Sequence, residues 1–203
     1  MKIFCIGRNY IEHAKELNSP LPEKPVFFMK PNTALLILNR PFFYPEFSSD
    51  IQYETELVIK ISKNGKHIRE KFAGTYYNEI GIGIDFTARD LQKNCKEKGL
   101  PWEVAKGFDQ SAPISKWIQI SDLKDKENIL FHLDLNGTTV QSGSSMDMIF
   151  SFDKVITYVS QFITLKMGDL IYTGTPAGVG PVKIGDHLEG YLEDRKMLDF
   201  YVR

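Results

Sequence analysis

The stretch Ile51-Gln52-Tyr53-Glu54-Thr55-Glu56-Leu57-Val58-Ile59-Lys60-Ile61 carries two acids one residue apart in a run rich in β-branched and aromatic side chains. Read as a strand of period two, it puts Tyr53, Leu57, Ile59 and Ile61 on one face and Glu54 and Glu56 on the other. Carboxylates so placed repel unless solvent or a cation separates them. A solvated strand face is one resolution. A hard divalent cation such as Mg2+ or Mn2+, which takes oxygen ligands, is the other. The run Gly81-Ile82-Gly83-Ile84-Asp85-Phe86 adds a third acid, apolar up to Asp85. An unpaired carboxylate at the end of a buried strand is costly, so Asp85 needs a partner. Either it caps the next helix or pairs with Arg89, or it joins Glu54 and Glu56 as a third oxygen ligand.

Other candidates flank these acids. His13 and Glu16, three apart on a short helical stretch from Tyr10 to Leu17, share one face and can share a proton or a water. Few apolar anchors and a following proline-rich loop (Pro20, Pro22, Pro25) fit a mobile lid over residues of about 10–25. An exposed amphipathic turn is the alternative. Lys106 stands alone among small and apolar residues in Glu103-Val104-Ala105-Lys106-Gly107-Phe108. The loop Tyr172-Thr173-Gly174-Thr175-Pro176-Ala177-Gly178-Val179-Gly180 is glycine-rich but matches neither the P-loop nor the dinucleotide fingerprint. Its backbone N–H groups suit a small carboxylate. His67, His132 and His187 read as structural or surface residues: His132 shares the polar parity with Asp134 and faces solvent, and neither His67 nor His187 has a local partner.

Strands must position these groups. Ile129–Leu135 alternates and meets Asn136-Gly137, a strong hairpin signal. The echo Lys166-Met167-Gly168-Asp169-Leu170 and Lys183-Ile184-Gly185-Asp186-His187 reads as two turns feeding strands. A helix is expected from a Thr87 cap to Gly99 and Pro101. Another should start at the Ser151 cap, with Val155, Ile156, Val159, Phe162 and Ile163 at helical spacing. A weaker helical signal covers His67–Ala73. Strands outnumber helices without regular alternation, so the class is α+β, mostly β.

The chain has 203 residues, 25 Lys+Arg against 26 Asp+Glu, and a net charge of −1. That balance speaks against a nucleic-acid binder, and no apolar run is long enough to span a bilayer. Arg8 interrupts the N-terminus before a signal-peptide core is complete, and two cysteines are too few for a disulfide framework. A one-domain cytoplasmic protein over residues 1–203 is expected.

Taken in order, the segments resemble the fumarylacetoacetate hydrolase family, most closely its compact acylpyruvase-like branch. The matching stretches are Gly7-Arg8-Asn9-Tyr10 with His13 and Glu16, Phe28-Met29-Lys30-Pro31, and Tyr53-Glu54-Thr55-Glu56-Leu57. They continue with Asp85-Phe86-Thr87-Ala88-Arg89-Asp90-Leu91-Gln92, Lys98-Gly99-Leu100-Pro101-Trp102 with Lys106, Met148-Ile149-Phe150-Ser151, and Thr173-Gly174-Thr175-Pro176. The resemblance implies a mixed β-sandwich roll like the C-terminal domain of fumarylacetoacetase, in a homodimer, without that enzyme's separate N-terminal domain. It implies Mg2+ or Mn2+ on Glu54, Glu56 and Asp85, a His13–Glu16 catalytic dyad on a lid, and Lys106 offsetting negative charge. Arg89, Gln92, Gly174 and Thr175 would contact substrate. Asp147 departs from the pattern, standing where a small neutral residue is common. The implied reaction is hydrolysis of the C–C bond of a 3-acylpyruvate, a 1,3-diketo acid, giving pyruvate and a carboxylic acid. Oxaloacetate decarboxylation or tautomerisation, and isomerisation of a 2-oxo diacid, are alternatives on the same machinery. A metal-binding scaffold without activity is a further alternative.

Overall fold

The computed structural model describes residues 1–16 and 20–203, so Leu17, Asn18 and Ser19 of the expected lid lie outside the described residues. Alternation of apolar side chains produces two main sheets. The larger runs, in spatial order, Val26–Lys30, Ile3–Gly7, Leu170–Tyr172, Thr55–Ile61, Tyr77–Ile84 and Ile118–Gln119. Ile3–Gly7 lies parallel to Leu170–Tyr172 and the other neighbours are antiparallel, so the sheet is mixed. The smaller is antiparallel, in the order Thr138–Ser144, Leu130–Leu135, His187–Leu192 and Arg195–Tyr201.

Strand parity decides what lies between them. Phe4, Ile6, Leu57, Ile59 and Ile82 of the larger sheet share one buried cluster with Phe131, Leu133, Leu188, Leu192 and Leu198 of the smaller. The opposite parity, Ile3, Cys5, Val58 and Tyr172, builds a second cluster with Ala112 and Ile114 on the other face. The larger sheet is therefore covered on both sides, and Glu56, with the parity of Val58, points away from the sandwich core. The fold is the mixed β-sandwich that the resemblance implies. Among the described residues no helix is long and apolar enough to cross a membrane.

The helices are α1 (Ile11–Glu16), α2 (Glu70–Ala73), α3 (Arg89–Lys98), α4 (Glu103–Lys106) and α5 (Phe152–Phe162). Gly99, at φ 64°, closes α3 in the left-handed conformation. The Ser151 hydroxyl caps α5 by accepting the Lys154 N–H, and Val155, Ile156 and Val159 bury while Phe162 stays exposed. Asn136 and Gly137 both have positive φ, which suits the two-residue hairpin turn. The two Gly-Asp turns are the same device, each aspartate accepting the N–H of the lysine three residues earlier.

Some local expectations change. Thr87 does not cap α3; it lies in the short strand Thr87–Ala88, and its hydroxyl turns to Lys106. The run Ile51–Ile61 is two strands, Ile51–Tyr53 and Thr55–Ile61, broken at Glu54 and paired in different sheets. His67, at φ 51°, precedes α2 instead of starting it. His187 has local partners: its Nε2 lies 2.7 Å from Asp199 Oδ1, and its ring stacks on Tyr201.

Asn9, fully buried, ties the entry to α1 to the glycine-rich loop. Its Nδ2 donates to the carbonyls of Phe150 (3.0 Å) and Thr173 (2.8 Å), and its Oδ1 accepts the Phe150 N–H (2.8 Å). Asn9→Ala removes all three of these bonds, leaving the buried Thr173 carbonyl and the part-buried Phe150 groups without this partner, and should lower stability by about 2–3 kcal/mol in urea unfolding.

Candidate metal and substrate site

Backbone pairing brings the three acids together. Thr55 pairs with Ile84, and the Asp85 N–H continues the ladder by donating to the Glu54 carbonyl at 2.8 Å. Glu56 pairs with Gly83 two residues along. Glu54, Glu56 and Asp85 are 6%, 1% and 1% exposed, and each offers an oxygen within 4.8 Å of the others. A solvated strand face is thereby excluded.

Two lysines and an arginine hold this cluster. Lys106, at the end of α4, places Nζ 2.9 Å from both Glu54 Oε2 and Asp85 Oδ2, and donates to Thr87 Oγ1. Lys30, at the end of its strand, donates to the carbonyls of Phe86, Lys106 and Ser111. Its Nζ is 2.8 Å from Asp85 Oδ1, off the direction of a good hydrogen bond. Arg89, in the first turn of α3, reaches Glu54 Oε1 (2.6 Å), Gln52 Oε1 and Gln92 Oε1. The Gly174 N–H donates to Glu56 Oε2 at 2.7 Å.

These contacts divide the acids electrically. Burial would raise the Glu54 carboxyl, but Lys106 and Arg89, with a smaller contribution from His13, hold it well below the usual carboxylate range. Glu56 goes the other way, pushed up by burial, Asp85 and Glu54 against the opposing pull of the Gly174 N–H and Lys106. Burial opposes the charge on Lys106, yet Asp85 and Glu54 raise its pKa. The pocket thus contains a carboxyl lacking full compensation and an off-axis Asp85 oxygen. That all-oxygen donor set fits a hard divalent cation.

His13 lines the same cavity as the three acids. Its Nδ1 is 3.1 Å from Glu16 Oε2, and Glu16 Oε1 accepts the Gly178 N–H at 3.1 Å, so the glycine-rich loop anchors the dyad. Of the residues expected at substrate, Arg89, Gln92 and Thr175 line this cavity, with Arg8, Lys96, Phe28 and Trp102 beside them. Thr175 Oγ1 accepts from Gln141 Nε2, whose Oε1 accepts the Thr55 N–H. Gly174 serves Glu56 and is not part of the cavity wall. Asp147 lines a separate surface groove with Tyr10, Ile11 and Glu12. Lys30 and Gln141 carry no sequence assignment. Lys30 had the same signal as Lys106, a lone lysine closing an apolar run; Gln141 had none.

The sequence matches the family of the fumarylacetoacetate (FAA) hydrolase C-terminal domain over residues 2–201. It is 40% identical over 201 residues to a mitochondrial oxaloacetate tautomerase of Mus musculus, covering 99% of this chain and 91% of that protein. It is 44% identical over 185 residues to a mitochondrial oxaloacetate decarboxylase of Dictyostelium discoideum, covering 91% and 85%. The fold superposes on a fumarylpyruvate hydrolase from Pseudomonas aeruginosa, solved with Mn2+ and pyruvate, with a TM-score of 0.94. Identity there is 35%, and the match covers 100% of this chain and 89% of that one. The chain belongs to the fumarylacetoacetate hydrolase family.

Proposed function

We propose that this protein is a divalent-metal-dependent enzyme that interconverts the enol and keto forms of oxaloacetate or a close 2-oxo diacid, with decarboxylation available at the same site. The observation that carries the reading is the pairing of His13 with Glu16, His13 lining the same cavity as the Glu54–Glu56–Asp85 oxygen set. Relatives named for oxaloacetate chemistry, matched over nearly the whole chain, favour it over C–C hydrolysis, which the resemblance alone had put first.

Glu54, Glu56 and Asp85 would hold Mg2+ or Mn2+, whose chemistry is to polarise a 2-oxo group and favour its enolate. Lys106 supplies positive charge beside the same carboxylates and offsets charge that develops on the substrate oxygen. Glu16 fixes the His13 ring through Nδ1, leaving Nε2 to accept a proton from one substrate atom and return it to another. Tautomerisation requires no attacking water. Hydrolysis of a 3-acylpyruvate would use the same dyad to activate one, and the fold neighbour solved with Mn2+ and pyruvate supports that second reading. Rates with oxaloacetate, acetylpyruvate and fumarylpyruvate in one Mg2+-loaded preparation separate the two: the oxaloacetate reaction should dominate.

Metal loading should depend on pH. The raised carboxyl of Glu56 stabilises the metal-free fold in its protonated form, a contribution present below the ordinary glutamate range and lost as pH rises through the raised value. A cation requires the ionised form, so binding releases a proton and tightens as pH rises. The rise in thermal midpoint on adding Mn2+ should be larger at about pH 8 than at about pH 6. Calorimetry in buffers of different ionisation enthalpy should show the released proton.

We also propose a homodimer. Leu38, Phe43, Phe47 and Val104 are exposed, and Phe47 and Val104 border an apolar groove with Leu91 and Phe108. Burying that groove against a second copy removes a costly apolar surface. Light scattering should give twice the chain mass, and Val104→Glu should give the monomer.

A further inference from the structure

The cations around the cavity fall into two sets. Lys30, Lys106 and Arg89 are engaged with Asp85, with Glu54 and Asp85, and with Glu54, Gln52 and Gln92. The N–H donors of these three are largely taken up by protein acceptors, so they act on a ligand through charge. Arg8 and Lys96 line the same cavity, yet among the described residues their side chains have no carboxylate or hydrogen-bond partner. Lys96 rests over the Trp102 ring, 5.5 Å from its centroid, at the open rim.

Their placement follows from local structure. Arg89, Gln92 and Lys96 recur at spacings of three and four on α3, so one helical face feeds the cavity from the buried acids outward. Arg8 directly follows the strand Ile3–Gly7 and has φ 58°, a left-handed conformation rare for a residue with a side chain. Burial and then the positive charges of Arg89 and Arg8 lower the Lys96 ammonium pKa, with Glu54 opposing them. Two like charges left uncompensated on one cavity wall are unfavourable until an anion joins them.

We propose that Arg8 and Lys96 form a second anion subsite, which takes the distal carboxylate of a 2-oxo diacid and makes the enzyme prefer diacids to monoacids. This rests on the 2-oxo acid reading above. It adds which residues take the second carboxylate, placing it between Arg8 and Lys96 with the 2-oxo end at the acids.

The test is equilibrium binding of 2-oxoglutarate and 2-oxopentanoate, which differ in chemical type only by the distal carboxylate, to the Mg2+-loaded protein by calorimetry. The wild type should bind the diacid at least about tenfold tighter, the value of one charge-assisted hydrogen bond. Lys96→Gln and Arg8→Gln should each remove most of that preference while leaving the monoacid affinity unchanged. Lys96 is itself exposed in the last turn of α3, so its variant should fold even where Arg8→Gln perturbs the turn. A diacid preference that survives in Lys96→Gln, or a parallel loss for both ligands, overturns the subsite. Oxaloacetate turnover without any diacid preference refutes the subsite and leaves the proposed reaction standing. A preference that depends on Arg8 and Lys96 in a protein that does not turn over oxaloacetate supports the subsite and refutes the reaction.

Discussion

Replacing Lys106 by methionine should destabilise the metal-free protein by about 3–5 kcal/mol, the usual consequence of removing one partner from a buried ion pair. Lys106 is 2% exposed and its ammonium bridges Glu54 and Asp85 at 2.9 Å each, so methionine leaves two buried carboxylates facing one another. Lys30 still reaches Asp85 and Arg89 still reaches Glu54, which sets the lower end of the range. Excess Mn2+ should restore much of the loss, because a ligand that binds only the folded state at about a thousandfold above its Kd contributes about 4 kcal/mol. Urea unfolding with and without metal measures both. A variant as stable as the wild type without metal, or one that Mn2+ fails to rescue, would contradict the view that Lys106 and a cation neutralise the same acids. Turnover should stay low even in the rescued variant, since the charge proposed to offset the substrate oxygen has gone.

The second large effect belongs to the dyad. His13→Ala and Glu16→Gln should lower kcat by about 10^2–10^4-fold, the range for a general acid–base group, with Mn2+ affinity unchanged. His13 lines the cavity without belonging to the oxygen set, and Glu16 holds it from behind through Nδ1. Glu16→Gln keeps a hydrogen-bonding group beside both His13 and the Gly178 N–H, so its loss should be the smaller. If neither variant slows tautomerisation, the proton is moved elsewhere. If both bind Mn2+ poorly, the dyad is part of the metal site instead.

The donor types were legible because each broke a local pattern: Glu54 and Glu56 in a β-branched run, Asp85 ending an apolar strand, Lys106 alone among small residues. Their assembly was not. The contact between Glu54 and Asp85 depends on antiparallel pairing across 31 residues, and a register shift of one would turn the acids to the other face. The strand break at Glu54 was hidden because its cause is long-range: Ile51–Tyr53 pairs with Gly180–Pro181 and Thr87–Ala88, while Thr55–Ile61 joins the large sheet. Thr87 read as a helix cap from its neighbours, yet Lys106 captures its hydroxyl. Turns were the easiest to read, since Asn136-Gly137 and the Gly-Asp pairs settle their backbone within a few residues.

The relaxation of freshly dissolved enol oxaloacetate to its keto form, followed by loss of enol absorbance, addresses the proposed chemistry most directly. Wild-type protein with Mg2+ should accelerate it well beyond Mg2+ alone, and a chelator or His13→Ala should abolish the acceleration. A metal-loaded, folded protein that leaves that rate at the buffer value while cleaving acetylpyruvate or fumarylpyruvate would contradict the tautomerase assignment and return the site to C–C hydrolysis.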